Sequence, residues 1–232
     1  VILNHYGIID GDKMRLKLKY QGKEKVLNLK AKDYNSKTFN ILNESKNIDE
    51  TLIQKKAYWI KELKNLNSLY FQYNDCEERE DFKIKEVIDF IKKSNLNRLI
   101  IDLRNNKGGD SDVLVPLIHF LREREDEISL IILTGRDTYS SAIINLMSLK
   151  NIKNSITLGE IPHGGPTHFQ EPKSFILPQT NIELSCSTMI YRSRGYGFTD
   201  SFKPKYIVNT KMEDFLSGKD TQMEFIRKYI WK

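Results

Sequence analysis

A chain of 232 residues with 39% hydrophobic and 10% aromatic residues can bury a core, which excludes a disordered polymer and suits one α/β domain with or without a smaller appendage. The formal net charge of +6 raises nucleic-acid binding, but the lysines alternate with acids in KEKVLNLKAKD and EEREDFKIKE. A solvated mixed-charge surface is therefore expected, and no nucleic acid.

No run approaches the roughly 18 apolar residues of a membrane span. Cys76 and Cys186 lie far apart without a CxxC pair, so no zinc-finger-type metal site is expected; both read as buried thiols. The chain starts at Val1 with no charged-then-apolar leader and reads as a piece of a longer protein. Its compartment stays open, a bacterial extracytoplasmic one included.

Residues 13–30 alternate around QGKE, a hairpin signal with Gly22 in the turn. Lys, Asn and Asp dominate 31–50, a loop or boundary. DETLIQKKAYWIKELK reads equally as a short helix or an irregular edge. SLYFQYND (68–75) is aromatic-rich and strand-like. DFKIKEVIDFIKKSN (81–95) has helical spacing, with Phe82, Val87, Ile88 and Ile91 on one side.

From Arg98 the pattern becomes regular. The strand RLIIDLR leads to the turn NNKGGDS and the helix DVLVPLIHFLRE. The strand ISLIILTG leads to the turn RDT and the helix YSSAIINLMSLK, and the strand SITLGE follows. This is the pattern of parallel crossover units. Ligands in such sheets bind beyond the carboxyl ends of the strands, where NNKGG and RDTYSS both fall.

A serine at a strand-to-helix turn has helix N-terminal N–H groups beside it, as acyl transfer requires. Glycines in NNKGG let backbone approach a ligand closely and supply a second donor. The alternative also stands: Thr138 or Ser140 caps a helix, Asp137 does the same, and KGG is only a tight turn. GxSxG is absent, so the α/β-hydrolase elbow is unsupported. Glu160 reads either as a group supporting the loop or as a solvated carboxylate. Arg192 and Arg194 in YRSRGYGFTD read as a surface turn or a carboxylate-binding group.

The blocks LIIDLRNNKGGDSDVLVPLI, LIILTGRDTYSSAIINLMSLK, SITLGEIPHGGPTHFQEPKSFILPQTNIELSCS and DFLSGKDTQMEFI resemble, in order and spacing, the C-terminal-processing (tail-specific) serine peptidase family, whose other branch includes the tricorn core. The resemblance covers about residues 58–230. It implies a crotonase-like ββα-superhelix core in residues 51–232, after a β-rich segment in 1–50 that resembles the tail of a preceding PDZ-like region. It also implies a peptide or protein substrate and no metal or organic cofactor. T-Y-S-S-A matches the nucleophile motif with Ser140 as nucleophile and the Ser141 amide as an oxyanion donor. Gly108 or Gly109 falls at the other donor, and Asp102 and Arg104 read as structural.

The pattern then breaks. The resemblance places a lysine base at Gly165, and Lys173 stands too far along the loop. A lysine base must be neutral, by burial; glycine offers no such group. His168, or His163, is the candidate replacement, since imidazole suits general-base work near neutral pH. An engineered substitution is a second account. In a third the site has lapsed, leaving a peptide-binding module. His5 and His119 are expected to be structural. Lys203-Pro204-Lys205 departs from the family's Pro-Asp with no clear consequence. A crotonase-type acyl-CoA enzyme follows only from fold kinship.

Overall fold

The computed structural model describes residues 13–20, 22–30, 48–52 and 57–230. The chain divides into two units, Val1–Glu44 and Ser45–Lys232. In the first, β1 (Lys13–Tyr20) pairs antiparallel with β2 (Lys23–Lys30). Gly22 holds the turn at φ +77, a conformation that costs other residues a Cβ clash. Most of the loop expected over 31–50 lies outside the described residues.

The second unit is built on a six-stranded sheet: β3 (Tyr58–Leu63), β4 (Ser68–Tyr73), β5 (Arg98–Asp102), β6 (Ser129–Thr134), β7 (Ser155–Gly159) and, later in the chain, β10 (Tyr206–Ile207). The strands lie side by side in sequence order, with β10 beyond β7. All neighbours from β4 to β10 are parallel, and β3 alone pairs antiparallel. There is no reversal of strand order, so this is the stepwise winding of a ββα superhelix and not a doubly wound dinucleotide sheet. The helix-or-edge ambiguity of DETLIQKKAYWIKELK resolves as a 3-10 turn at Glu50–Leu52 and the edge strand β3.

Three helices complete the crossovers: α1 (Ile84–Lys93), α2 (Val115–Arg122) and α3 (Ser141–Leu149). Successive strand residues point to opposite faces, and the core divides accordingly. Leu69, Phe71, Leu99, Ile101, Leu130 and Ile132 pack with the helix residues Val87, Leu117 and Leu146. Tyr70, Ile100, Ile131 and Leu133 pack on the other face with Met223 and Ile226. Burial on both faces is why these strands read as continuous apolar runs. Each fully buried large side chain contributes about 1.5–3 kcal/mol.

The α1 start is held by Glu86, whose Oε2 accepts from the Lys83 N–H at 2.6 Å, and Lys92 and Lys93 suit the negative end of the helix. The expected helix DVLVPLIHFLRE is split. Ser111–Leu114 is 3-10, and α2 begins with Pro116 near its start, where a missing N–H costs nothing. His119 is exposed on α2.

The sequence did not announce the antiparallel hairpin of β8 (His168–Ile176) and β9 (Glu183–Tyr191), which among the described residues pair only with each other. Cys186 lies on it and is exposed, correcting the expectation of two buried thiols; Cys76 is buried. After β10 come α4 (Met212–Leu216), α5 (Thr221–Phe225) and a π-helical turn at Ile226–Ile230. Among the described residues no helix is long and apolar enough to cross a membrane.

Candidate active site

Two loops leave the carboxyl ends of the adjacent strands β5 and β6, and buried polar side chains stitch them together. Thr138, fully buried, donates its hydroxyl to the Leu103 carbonyl at 2.8 Å and accepts from the Gly135 N–H at 3.0 Å. It ties one loop to the other and does not cap the helix.

Asn106 plays the larger part. Its amide donates to the Tyr73 carbonyl at 2.9 Å, and its Oδ1 accepts from the Gly108 N–H at 2.9 Å. Its own carbonyl accepts from the Tyr139 N–H at 3.0 Å. One buried residue thus joins the ends of β4, β5 and β6. Cys76 and Asn145 extend the network: the thiol donates to Asn106 Oδ1 at 3.4 Å, and Asn145 Nδ2 donates to Cys76 Sγ at 3.6 Å. Burial pushes the Cys76 thiol up to about 11, so it stays protonated and is no nucleophile.

Ser140 stands at the head of α3 with φ 52 and ψ −126, and its side chain makes no capping bond. A non-glycine residue in this region costs on the order of 1–3 kcal/mol and persists only where the surroundings force it. Gly108 presses against it: a methyl group there would lie 2.7 Å from Ser140 Cβ and 3.1 Å from the Ser141 nitrogen. Ser141 is buried and donates its hydroxyl to the Gly109 carbonyl at 2.5 Å, which fastens the glycine turn to the helix start.

The two glycines differ. The Gly108 N–H is already given to Asn106. Gly109 forms a bridge with Cys76, and a methyl on it would collide with the Cys76 carbonyl. Among the described residues, the N–H groups of Gly109 and Ser141 have no hydrogen-bond partner. Two unspent amides near a serine hydroxyl are what an oxyanion requires.

The loop after β7 docks on the same region. The His163 N–H donates to the Arg136 carbonyl at 3.1 Å, and the Gly164 N–H to the Thr138 carbonyl at 3.4 Å. A methyl on Gly164 would lie 2.6 Å from Ile143 Cγ1. Gly165 has more room, its hypothetical methyl meeting the Thr167 carbonyl at 3.1 Å.

His168 opens β8. Its Nδ1 lies 2.9 Å from the Gly165 carbonyl, which can only accept, so Nδ1 is the donor of this bond. The Nε2 is buried without a partner, and the ring packs 5.4 Å from Tyr191. Among the described residues, Ser140 Oγ makes no hydrogen bond to His168 or to any other base. His163, Asp137 and Lys173 are exposed. Glu160 lies 3.6 Å from Arg136 and accepts from the Thr210 N–H at 3.3 Å.

Asp102 and Arg104 form a lock beneath the site. Arg104 reaches Asp102 Oδ2 at 2.6 Å and Asp220 Oδ2 at 2.7 Å. Tyr70 donates to Asp102 at 2.5 Å, and Thr51 donates to Asp220 at 2.7 Å. Asp220 also caps α5 through the Gln222 and Met223 N–H groups. Burial opposes the Asp220 charge, but the guanidinium, the Thr51 hydroxyl and the cap outweigh it and hold the carboxyl below the usual aspartate value. Burial, then the Asp102 charge, keep the Tyr70 phenol protonated.

Sequence reasoning missed Asn106, Asn145 and Asp220. Asn145 did leave a signal, as an amide in the otherwise apolar helix AIINLMSL. Among the described residues, no group of three or more His, Cys, Asp or Glu is placed to hold a metal.

Residues 67–129 match the model of peptidase family S41. This segment runs from β4 through the Gly108–Gly109 turn to α2 and stops short of Ser140. Three solved structures share the fold. Mature CPAF complexed with lactacystin is 12% identical, with 95% of this chain and 68% of that one covered and a TM-score of 0.57. A protein of Parabacteroides merdae ATCC 43184, proposed to be a peptidase, is 19% identical over 72% and 62%, with a TM-score of 0.55. The photosystem II D1 C-terminal processing protease is 12% identical over 90% and 61%, with a TM-score of 0.53. The chain spans about six tenths of the length of the last two. No curated protein matches it in sequence.

Sheet, turn and helix together give an α/β architecture, the fold that these peptidase structures share. Over residues 67–129 the chain is similar to peptidase family S41, in line with the C-terminal-processing-peptidase motifs of its sequence.

Proposed function

We propose that the chain hydrolyses peptide bonds through Ser140. The observation that carries this reading is the Ser140 backbone at φ 52 and ψ −126, held at the carboxyl end of the sheet against Gly108. Strain of this kind turns a hydroxyl outward from a helix N-terminus. Ser140 Oγ attacks the scissile carbonyl, and the Gly109 and Ser141 amides receive the oxyanion. His168 Nε2 takes the Oγ proton and passes it to the leaving amine; water then releases the acyl group.

In the arrangement described, His168 Nε2 is enclosed. The base role therefore calls for the segment between Gly165 and His168 to shift on substrate binding, a step common in enzymes that close over substrate. The substrate is a peptide or protein, as the family implies. A second reading, a peptide-binding module that has lost hydrolysis, is favoured by Ser140 Oγ having no base within reach and by Gly165 standing where the resemblance puts a lysine.

Intact-mass analysis after fluorophosphonate treatment separates the two. One adduct on the parent, absent in Ser140→Ala, is the expected result. No adduct on the parent, with one on Gly165→Lys, would leave the peptide-binding reading.

A further inference from the structure

The turn after β9 and the C-terminal end of α3 enclose a pocket of about 330 Å³. Four cationic side chains line it, Arg122, Lys150, Arg192 and Arg194, with no acidic residue among them. Among the described residues, none of the four forms an ion pair. Two rest on rings instead: Lys150 Nζ lies 5.2 Å from the Tyr196 centroid, and the Arg192 guanidinium 5.3 Å from that of Phe198. Ring contacts fix a cation's position without cancelling its charge. Ser148 and Asn151 add neutral donors to the same wall.

Part of this charge has a local cause. The C-terminal end of a helix carries about half an elementary negative charge, and Lys150 sits at the C-cap of α3. Arg122 answers the same field at the end of α2; Arg192 and Arg194 remain. Guanidinium groups present planar forks of donors suited to phosphate or carboxylate oxygens. A peptide carboxylate brings one negative charge to four positive ones, whereas a phosphate monoester brings close to two. The pocket also lies at the opposite end of α3 from Ser140, roughly 13 Å along a helix of this length. An anion held there does not touch the scissile bond, which an extended peptide would place about four residues away.

We propose that this pocket binds a phosphate group, carried by a small soluble molecule or by a lipid headgroup. The site is independent of the reading given to Ser140. The test titrates inorganic phosphate into the chain calorimetrically. In parallel, it measures co-sedimentation with phosphatidylcholine vesicles with and without phosphatidic acid. The variants are Arg192→Ala/Arg194→Ala and, as a charge control, Lys85→Ala. Both arginines are exposed, so their removal leaves the core intact.

Binding in either arm, weakened about tenfold or more by the double variant and less than twofold by the control, is the expected result. Phosphate alone points to a soluble ligand, and vesicles alone to a headgroup. Absence of binding in both arms, or equal weakening by Lys85→Ala, overturns the proposal.

Discussion

Gly108 and Ser140 touch backbone to side chain: a methyl group on Gly108 would lie 2.7 Å from Ser140 Cβ and 3.2 Å from its Oγ. The site tolerates only hydrogen at that position, and Gly108 stands at φ +110 besides. Gly108→Ala therefore combines a steric clash with a strained backbone. The expected cost is about 1–3 kcal/mol, read as a fall in the urea midpoint. The substitution should also displace Ser140 and lower the rate of fluorophosphonate labelling. Unchanged labelling with unchanged stability would show that the glycine is dispensable.

Arg104 serves two buried carboxylates, so removing it strands both. Arg104→Met is expected to destabilise the fold by about 3–5 kcal/mol, measured by denaturant unfolding. Adding Asp220→Asn should recover part of that loss, because one of the two stranded charges goes with it. A double variant no more stable than the single one would contradict this account.

The same cluster sets an acid limit. Asp220 has its carboxyl held below 3.8, the ordinary value, so the folded state binds this proton less readily than the unfolded chain does. Its contribution to stability is complete above that ordinary value. It is lost as pH falls below it towards the lower folded value. Urea midpoints measured from pH 6 down to pH 3 should drop less steeply in Asp220→Asn than in the parent. Parallel curves would place the acid sensitivity elsewhere.

His168 is the proposed base although its Nε2 does not reach Ser140 in this arrangement. If it serves, His168→Ala loses the Ser140 adduct while keeping the parent's melting temperature within a few degrees. Full labelling of His168→Ala would remove it from the mechanism.

The central sheet was legible because its strands are buried on both faces: RLIIDLR and ISLIILTG carry enough apolar residues to be read without their partners. The turns at NNKGG and RDTYSS were legible because glycine and paired serines mark departures from regular backbone. The β8–β9 hairpin was not, since residues such as Phe169, Phe175 and Met189 are exposed there and apolar positions carry no inward signal. Its alternation is also broken by Glu171 at φ 53 and by Pro172. Asn106 was hidden for another reason. Its role depends on carbonyls and amides from three strands, which no local spacing records. The pairing of Arg104 with Asp220 is equally non-local. For the base, the sequence offered only candidates, because a missing lysine does not say what replaces it.

The strict order of the sheet has a bearing on how the chain is made. Each strand finds its neighbour in the segment just synthesised, so β3 to β7 can assemble progressively as the polypeptide leaves the ribosome. The buried charges do not follow that schedule. Thr51 and Asp220 are 169 positions apart, and Arg104 lacks its second carboxylate until Asp220 has appeared. A nascent chain halted before Asp220 would hold the sheet without its clasp, vulnerable to degradation despite having most of its core. The arrival of Asp220 is thus the event that joins the two ends of this unit, since only then does Arg104 hold both carboxylates.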